Sequence, residues 1–502
     1  MIVKPHAKRP DWFIWGDPPR EWYQPLAEDP IPGLIFGSGP RGIIVDFHQT
    51  HLPCMPDDVR GIAEGFGLPA PPPLATDLLR PYQLKVYQEL GGFRGALLAM
   101  EMRTGKTPLA AHMHDPAFGP LVIVGPLSAR EAWKEWVERT FNWPLACLST
   151  RQENLDPPGM PAYFIHYQVL EGHTGFLCQQ GVGTLIIDEA HYLQARESKR
   201  VQAVALLAPR AKKVLGLTGT PVWNRPMSLW QVLALLTPGA WGTKHVFGVR
   251  YAGGQPGAYG WTFDGISHDE ELRARLGYMT ARLTWSDVAP DLPPTTRVLE
   301  PVALTAAQYT ALEAAAMKDN LARSRPNAGA YFAGFRQRAG MIKVKAAIEM
   351  AMQAAEDGHK VVLWAWHNKV LDKIEQELGS RGSSYWRLRS SMPVALREEH
   401  IAGFRDWRAA GFLVASIGVG REALDLSCAD YAIFVELDWT PAMIYQAEMR
   451  TFHPSRPQSV VYLYTDDPIE SKLISALNAK NGFANALGLG SDEILAVVCG
   501  DA

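Results

Sequence analysis

Two long blocks of this chain alternate short apolar runs with stretches of helical spacing. In the first block the runs are Gly95 to Ala99, Leu121 to Val124, Tyr163 to His166, Leu185 to Ile187 and Val214 to Leu217, with helical patterns such as Ala129 to Thr140 and Val201 to Leu207 between them. Short continuous apolar runs suit strands buried on both faces, and strands separated by helices cross over and pair in parallel. The second block repeats the pattern with Val361 to Ala365, Leu413 to Ser416, Tyr431 to Val435 and Val460 to Tyr464. The expected fold class is α/β: two lobes, each a parallel sheet flanked by helices. A chain of 502 residues is long enough for both. The expected boundaries are 1–72 for a small N-terminal module, 73–238 for the first lobe, 239–340 for a helical insertion or brace, and 341–502 for the second lobe.

Ligands of such sheets sit at the carboxyl ends of the strands, and three candidate sites fall there. After Gly95 to Ala99 comes Met-Glu-Met-Arg-Thr-Gly-Lys-Thr, residues 100–107. A strand–loop–helix ending in Gly-Lys-Thr suits nucleotide phosphates. Thr104 and Gly105 shape the loop, Lys106 reaches the β- and γ-phosphates, and the Thr107 hydroxyl ligates Mg²⁺. The full pattern has Gly where Met100 stands. After Leu185 to Ile187 comes Asp188-Glu189-Ala190-His191. Asp188 suits Mg²⁺, and Glu189 suits orienting or deprotonating a water; an acidic helix start would look the same. Leu217-Thr218-Gly219-Thr220-Pro221 suits a hinge that senses the γ-phosphate, or a plain turn. Arg80-Pro81-Tyr82-Gln83 opens a helix ahead of the loop, and the Gln83 amide can both donate to and accept from an adenine edge.

Composition narrows the rest. The chain is 47% apolar and 20% charged, without an apolar run long enough to span a bilayer. Basic residues near the start have no apolar core behind them, so no secretory signal is expected. The scattered Cys54, Cys147, Cys178, Cys428 and Cys499 argue against zinc ribbons and disulfide frameworks and for a reducing cytoplasm. The formal net charge of −3 leaves any nucleic-acid site to a local patch. The candidate patch holds Arg323, Arg325, Arg336, Arg338, Lys343 and Lys345 among aromatic residues, with no acid from 320 to 348; a solvated helix face is the alternative. In the N-terminal module, runs at 31–36 and 42–47 suit a hairpin and a helix follows near Asp57 to Gly65. The module is either a packing unit or an accessory nucleic-acid binder.

In order, these motifs resemble those of the Swi/Snf-type ATPases of helicase superfamily two, from about Leu78 to about Ala476. Asp438-Trp439-Thr440-Pro441 and Gln446-Ala447-Glu448-Met449-Arg450 extend the match. Tyr259-Gly260-Trp261, Arg282 and Leu292-Pro293 are similar to the annealing-helicase (HARP-like) branch. The resemblance implies two RecA-like lobes with ATP and Mg²⁺ between them, DNA-stimulated ATP hydrolysis, and movement along double-stranded or branched DNA. It gives Gln446 and Arg450 to the ATP site and makes Trp439 a DNA contact. The family has Gly where Arg103, Arg421 and Ala423 stand, and an arginine where His453 stands. Arg421 or Arg456 is therefore expected to supply the missing finger charge. The expected protein is a cytoplasmic monomer of bacterial or phage source that remodels or anneals DNA. A catalytically weak, ATP-gated DNA clamp and an RNA-directed helicase are the alternatives.

Overall fold

The structure, a computed structural model, describes residues 2–474 except 8, 10, 17, 25, 27–30, 40–41, 65–69, 75–76, 149–156, 194–197, 220–225, 258–259, 290–294, 322–327, 422–423, 439–440, 468–469 and 471–473. The chain forms two compact units, one ending at Val288 and the next starting at Ala289. Among the described residues no helix is long and apolar enough to cross a membrane.

The first unit is built on seven parallel strands. Their spatial order is Thr280–Leu283, Gly95–Met100, Lys213–Leu217, Thr184–Asp188, Leu121–Gly125, Ala162–His166 and Leu145–Leu148. Alternate residues serve opposite faces, as the pleat requires. Leu97, Ala99, Val122, Val124, Leu185 and Ile187 enter one core with the helices Leu170–Gln180, Lys199–Leu207 and Leu229–Leu236. Ala96, Leu98, Met100, Ile123 and Ile186 enter the other, with Pro81–Leu90, Lys106–His112 and Arg130–Phe141.

The second unit has six parallel strands in the order Thr295–Val302, Gln458–Thr465, Tyr431–Phe434, Val361–Ala365, Phe412–Ser416 and Tyr385–Leu388. Its helices include Ala306–Leu321, the long Ala328–Glu356, and Pro441–Thr451. The stretch 239–340, expected as one helical insertion, is thus divided. Thr280–Leu283 closes one edge of the first sheet and Thr295–Val302 one edge of the second. Both are edge strands rich in polar residues, so neither shows the apolar run of a central strand.

Residues 2–64 form an antiparallel sheet ordered Ile2–Pro5, Trp12–Gly16, Gly42–His48, Ile35–Gly39, followed by the helix Asp57–Glu64. The expected second strand of the hairpin is present as Gly42–His48, but it pairs with Ile35–Gly39 and not with the expected run 31–36, so that Gly37 to Gly39, expected as a turn, are strand. Trp15 stands opposite Val45 and Phe13 opposite Phe47, and this face packs on Val59 and Ala63 of the helix. Trp12 takes the opposite parity and enters the core of the seven-stranded sheet. A sheet with apolar residues on both faces cannot remain a separate module, and this one belongs to the first compact unit.

The polar half of that junction centres on Arg275, which is fully buried. Its Nε donates to Thr50 O at 3.1 Å, its Nη2 to Pro32 O at 3.1 Å and Ala240 O at 2.6 Å, and its Nη1 to the Tyr251 hydroxyl at 2.6 Å. The guanidinium also lies 4.3 Å from the Trp241 ring centroid. The Tyr251 hydroxyl donates a hydrogen bond to Glu271, which Arg250 also holds at 2.9 Å. Burial first, then the Arg275 charge, keeps the neighbouring histidines neutral: His48 is lowered to about 3 and His51 well below its ordinary value.

An acid-side instability follows. Below about pH 6.5 an unfolded histidine gains a proton that folded His48 refuses, so stability is full above that pH and is lost as pH falls towards 3. By linkage His48 alone costs about 2 kcal/mol at pH 5 relative to pH 7.5. Urea unfolding at the two pH values measures it, and His48→Asn, which keeps a capping acceptor, is expected to flatten part of the difference.

Candidate nucleotide-binding site

Strand register brings the candidate loops to one level. Leu98 pairs with Leu217, and Leu217 with Asp188, so the loop after Met100, the Thr218 turn and the Asp188 loop leave the sheet side by side. Thr218 N donates to Leu98 O at 3.1 Å. His191 Nδ1 lies 3.3 Å from both Thr218 Oγ1 and Glu189 Oε2, which wires the second loop to the third. Thr220 and Pro221 lie outside the described residues.

The phosphate loop is held from within. Gly105 has φ +84°, and the helix Lys106–His112 starts beside it, with Thr107 in the first turn. Lys106 Nζ donates to Met100 O at 2.8 Å and Glu101 O at 2.9 Å. Thr104 is buried, and its hydroxyl donates to Glu101 O at 2.7 Å. Gln83 closes the other side. Its amide nitrogen donates to Thr104 O at 3.2 Å and Gly105 O at 3.0 Å, and its oxygen accepts from Arg80 N at 2.7 Å. The Arg80 guanidinium reaches the Tyr82 hydroxyl at 3.3 Å, and that hydroxyl donates to Thr104 O at 3.0 Å. Gln83 is therefore tied to the loop, and an adenine edge would have to displace these bonds.

Asp188 ends its strand with its carboxylate buried. Trp133, fully buried on Arg130–Phe141, donates its indole N–H to Asp188 Oδ2 at 2.9 Å, and Tyr167 donates to Asp188 O at 2.7 Å. Burial pushes the carboxyl up to about 6 and the Glu189 charge adds to this; the Trp133 bond and the Lys106 ammonium pull it down. A buried carboxylate so poorly neutralised suits a divalent cation. The described residues contain no group of three or more His, Cys, Asp or Glu that could by itself hold a metal ion. Mg²⁺ would accordingly rely on Asp188, Thr107, water and the nucleotide's own phosphates. Glu189 has φ +54° and Arg103 +64°, two strained non-glycine positions within these two loops. Trp133 was not legible as part of this site: it lies on a helix 55 residues before the acid it holds.

The second-unit candidates are placed as follows. Gln446 and Arg450 are buried on Pro441–Thr451, and Arg450 Nε donates to Gly420 O at 2.8 Å. Arg421 ends the turn Ile417–Arg421, and its side chain lies outside the description. Arg456 is partly exposed, donates to Ser427 O and pairs with Asp430 at 3.6 Å.

The expected basic patch needs correction. Lys343 is fully buried and donates to Glu470 at 2.6 Å and Leu463 O at 3.2 Å. Arg336 is buried and donates to Leu437 O. Both charges serve the interior of the second unit, which removes them from the surface set. Arg338 is partly buried and donates to Gly334 O at 3.1 Å; Lys345 is exposed. Arg323, Arg325 and Trp439 lie outside the described residues. Sequence reading also missed a cleft of about 600 Å³ past the carboxyl end of Ala162–His166, lined by Tyr167, Gln168, Glu171, Ser198, Lys199 and Arg200. Two adjacent cations opening a helix near a strand end were its signal.

Residues 82–330 match the SNF2-related domain, and residues 342–454 match the helicase conserved C-terminal domain. The chain is an SNF2-related protein of helicase superfamily two. The chain is 31% identical over 384 residues to the SWI/SNF-related matrix-associated actin-dependent regulator of chromatin subfamily A-like protein 1 of Xenopus tropicalis, covering 72% of this chain and 40% of that protein. It is 27% identical over 410 residues to the DNA annealing helicase and endonuclease ZRANB3 of Mus musculus, covering 76% of this chain and 38% of that protein. The chain thus spans about two fifths of the length of these relatives. Both are animal proteins, and the expected bacterial or phage source finds no support in them. A Sulfolobus solfataricus SWI2/SNF2 ATPase core in complex with dsDNA is similar at 22% identity and a TM-score of 0.40, covering 86% of this chain and 99% of that one. The fold rests on the strand order and register given above.

A methyl group at Gly105 would lie 2.1 Å from Gln83 Nε2, at a φ that side chains resist. Gly105→Ala is expected to cost about 1–2 kcal/mol of stability and to release Gln83 from the loop. Denaturant unfolding and nucleotide titration of the variant check both effects.

Proposed function

We propose that this chain is an ATP-driven motor on duplex or branched DNA that hydrolyses ATP with Mg²⁺ and remodels or anneals strands. The single observation that carries this reading is the juxtaposition at neighbouring strand ends: a Gly105-Lys106-Thr107 loop, a buried Asp188 carboxylate near the Lys106 ammonium, and a Thr218 turn joined to the Asp188 loop through His191. In this reading Lys106 leaves its loop carbonyls for the γ-phosphate, Asp188 and Thr107 hold the cation, and Glu189 orients the attacking water. Bound Mg²⁺ would supply charge neutralisation at the phosphates. Gln446, Arg450 and one of Arg421 or Arg456 are proposed as nucleotide residues of the second unit from the resemblance of their motifs alone. The relatives named above, one of them called a DNA annealing helicase, support DNA as the track.

The test is Lys106→Ala. It is expected to abolish DNA-stimulated hydrolysis, a loss of at least about 100-fold, because the transferred phosphoryl group loses its cation. Duplex binding should survive. An ATP-gated clamp is a second reading, favoured by the Lys106 ammonium resting on its own loop carbonyls. Turnover with and without duplex DNA separates the two.

Backbone contacts on DNA carry no sequence code and are salt-sensitive. With Arg336 and Lys343 buried, the cleft holding Lys199 and Arg200 is the proposed phosphate contact of the first unit. Arg200→Ala is expected to weaken duplex binding uniformly across sequences and to reduce the salt slope by about one. Anisotropy titrations at several salt concentrations measure both.

A further inference from the structure

We propose that Trp285 is a positioning residue for nucleotide binding: it fixes the root of the phosphate loop from outside that loop, on a segment anchored to the N-terminal module. The root is Glu101, where the strand Gly95–Met100 turns into the loop. Its backbone N–H donates to Leu283 O at 2.9 Å, and its carbonyl accepts Lys106 Nζ at 2.9 Å and Thr104 Oγ1 at 2.7 Å. Its carboxylate Oε2 accepts the Trp285 backbone N–H at 2.7 Å. The Trp285 indole N–H then donates to Met102 O at 3.0 Å, and the ring is buried. Just before it, Arg282 Nη1 donates to Ala99 O at 3.1 Å. The segment 282–285 therefore holds residues 99, 101 and 102.

The loop needs such outside support. Arg103 stands at φ +64°, a conformation that a side chain other than glycine keeps only when its surroundings impose it. Lys106 and Thr104 both hang on the Glu101 carbonyl, so a shift of that carbonyl moves the cation meant for the phosphates. Trp285 thus acts on affinity by preorganisation, without touching the ligand. The support is itself anchored. Arg275 fastens the helix Asp269–Gly277 to Thr50 and Pro32 of the N-terminal module, and the chain runs on through the edge strand Thr280–Leu283 to Trp285. The small sheet and the phosphate loop are two ends of one strut.

This inference rests on the phosphate loop binding a nucleotide, and the experiment keeps the two apart. The probe is a fluorescent ATP analogue with Mg²⁺, titrated into the full chain without DNA, beside steady-state ATPase kinetics with duplex DNA. Trp285→Phe keeps an aromatic ring and the backbone N–H, and removes the indole N–H together with the pyrrole half of the bicycle. It is expected to weaken analogue binding and raise KM about three- to tenfold, the worth of one hydrogen bond, while kcat stays within about twofold. Glu101→Ala, which loses the acceptor, is expected to behave alike; Glu101→Gln, which retains one, is expected to bind within about twofold of the parent. Trp261→Phe, on the exposed hairpin Gln255–Gly257/Gly260–Thr262, is the control and should change nothing. Parent-like binding by Trp285→Phe, or equal losses in Glu101→Gln and Glu101→Ala, overturns the positioning role. A parent chain that binds no analogue, or a Lys106→Ala variant that binds as the parent does, overturns the nucleotide reading instead.

Discussion

A parallel strand covered on both faces has its backbone satisfied everywhere except at its ends, and this constraint organises the chemistry of the first unit. Helices fill both faces of the seven-stranded sheet, so polar loops can gather only along its rims. Register does the rest. Leu98, Leu217 and Asp188 stand on one line across three neighbouring strands, and the loops that follow them emerge together. Shared backbone and side-chain bonds then join the loops, through Thr218 N to Leu98 O and through His191 to Thr218 and Glu189. The candidate site is a product of strand pairing before it is a product of any single side chain.

That is why the centre of the fold was legible and its margins were not. Strands such as Leu121–Gly125, Val361–Ala365 and Phe412–Ser416 are buried at every residue, and burial on both faces writes a continuous apolar run. Thr280–Leu283 and Thr295–Val302 lie at sheet edges, keep much of their length partly exposed, and read as Thr-Ala-Arg-Leu and Thr-Thr-Arg-Val-Leu-Glu-Pro-Val. No local pattern distinguishes them from loops. The motif loops were visible because their residues are contiguous. Their supports were not: Trp133 meets Asp188 across 55 residues, and Trp285 meets Glu101 across 184.

Charge misleads in the same way. Arg336 and Lys343 lie in a stretch without acids, which reads as a surface patch, but Glu470 closes on Lys343 from 127 residues away. Arg275 sits on a helix with Asp269, Glu270 and Glu271 in its first turn, which reads as a solvated face, yet no part of it is exposed. Burying a guanidinium is tolerable only when its donors find acceptors. Here the acceptors are carbonyls of the N-terminal module and of the turn at Ala240. The cost of that burial is therefore met only when the module is docked. The small sheet is as much a part of the first unit as the helices are, and Trp12 on its far face makes the same point with apolar area.

The two departures from the phosphate-loop pattern carry different weights for the same geometric reason. Met100 stands where the pattern has glycine, but here it is the last residue of a strand, fully buried in the core beneath the loop. Its side chain points away from any ligand, and its carbonyl, which every residue has, is what meets Lys106. Arg103 stands in the loop proper, in a left-handed conformation that glycine would adopt freely. A loop built with arginine there must be held in shape by its neighbours. The bonds from Gln83, Glu101 and Trp285 do that. The bonds the loop makes with itself consequently compete with those a nucleotide would offer. A nucleotide binds only by as much as it outmatches bonds the loop already makes with itself.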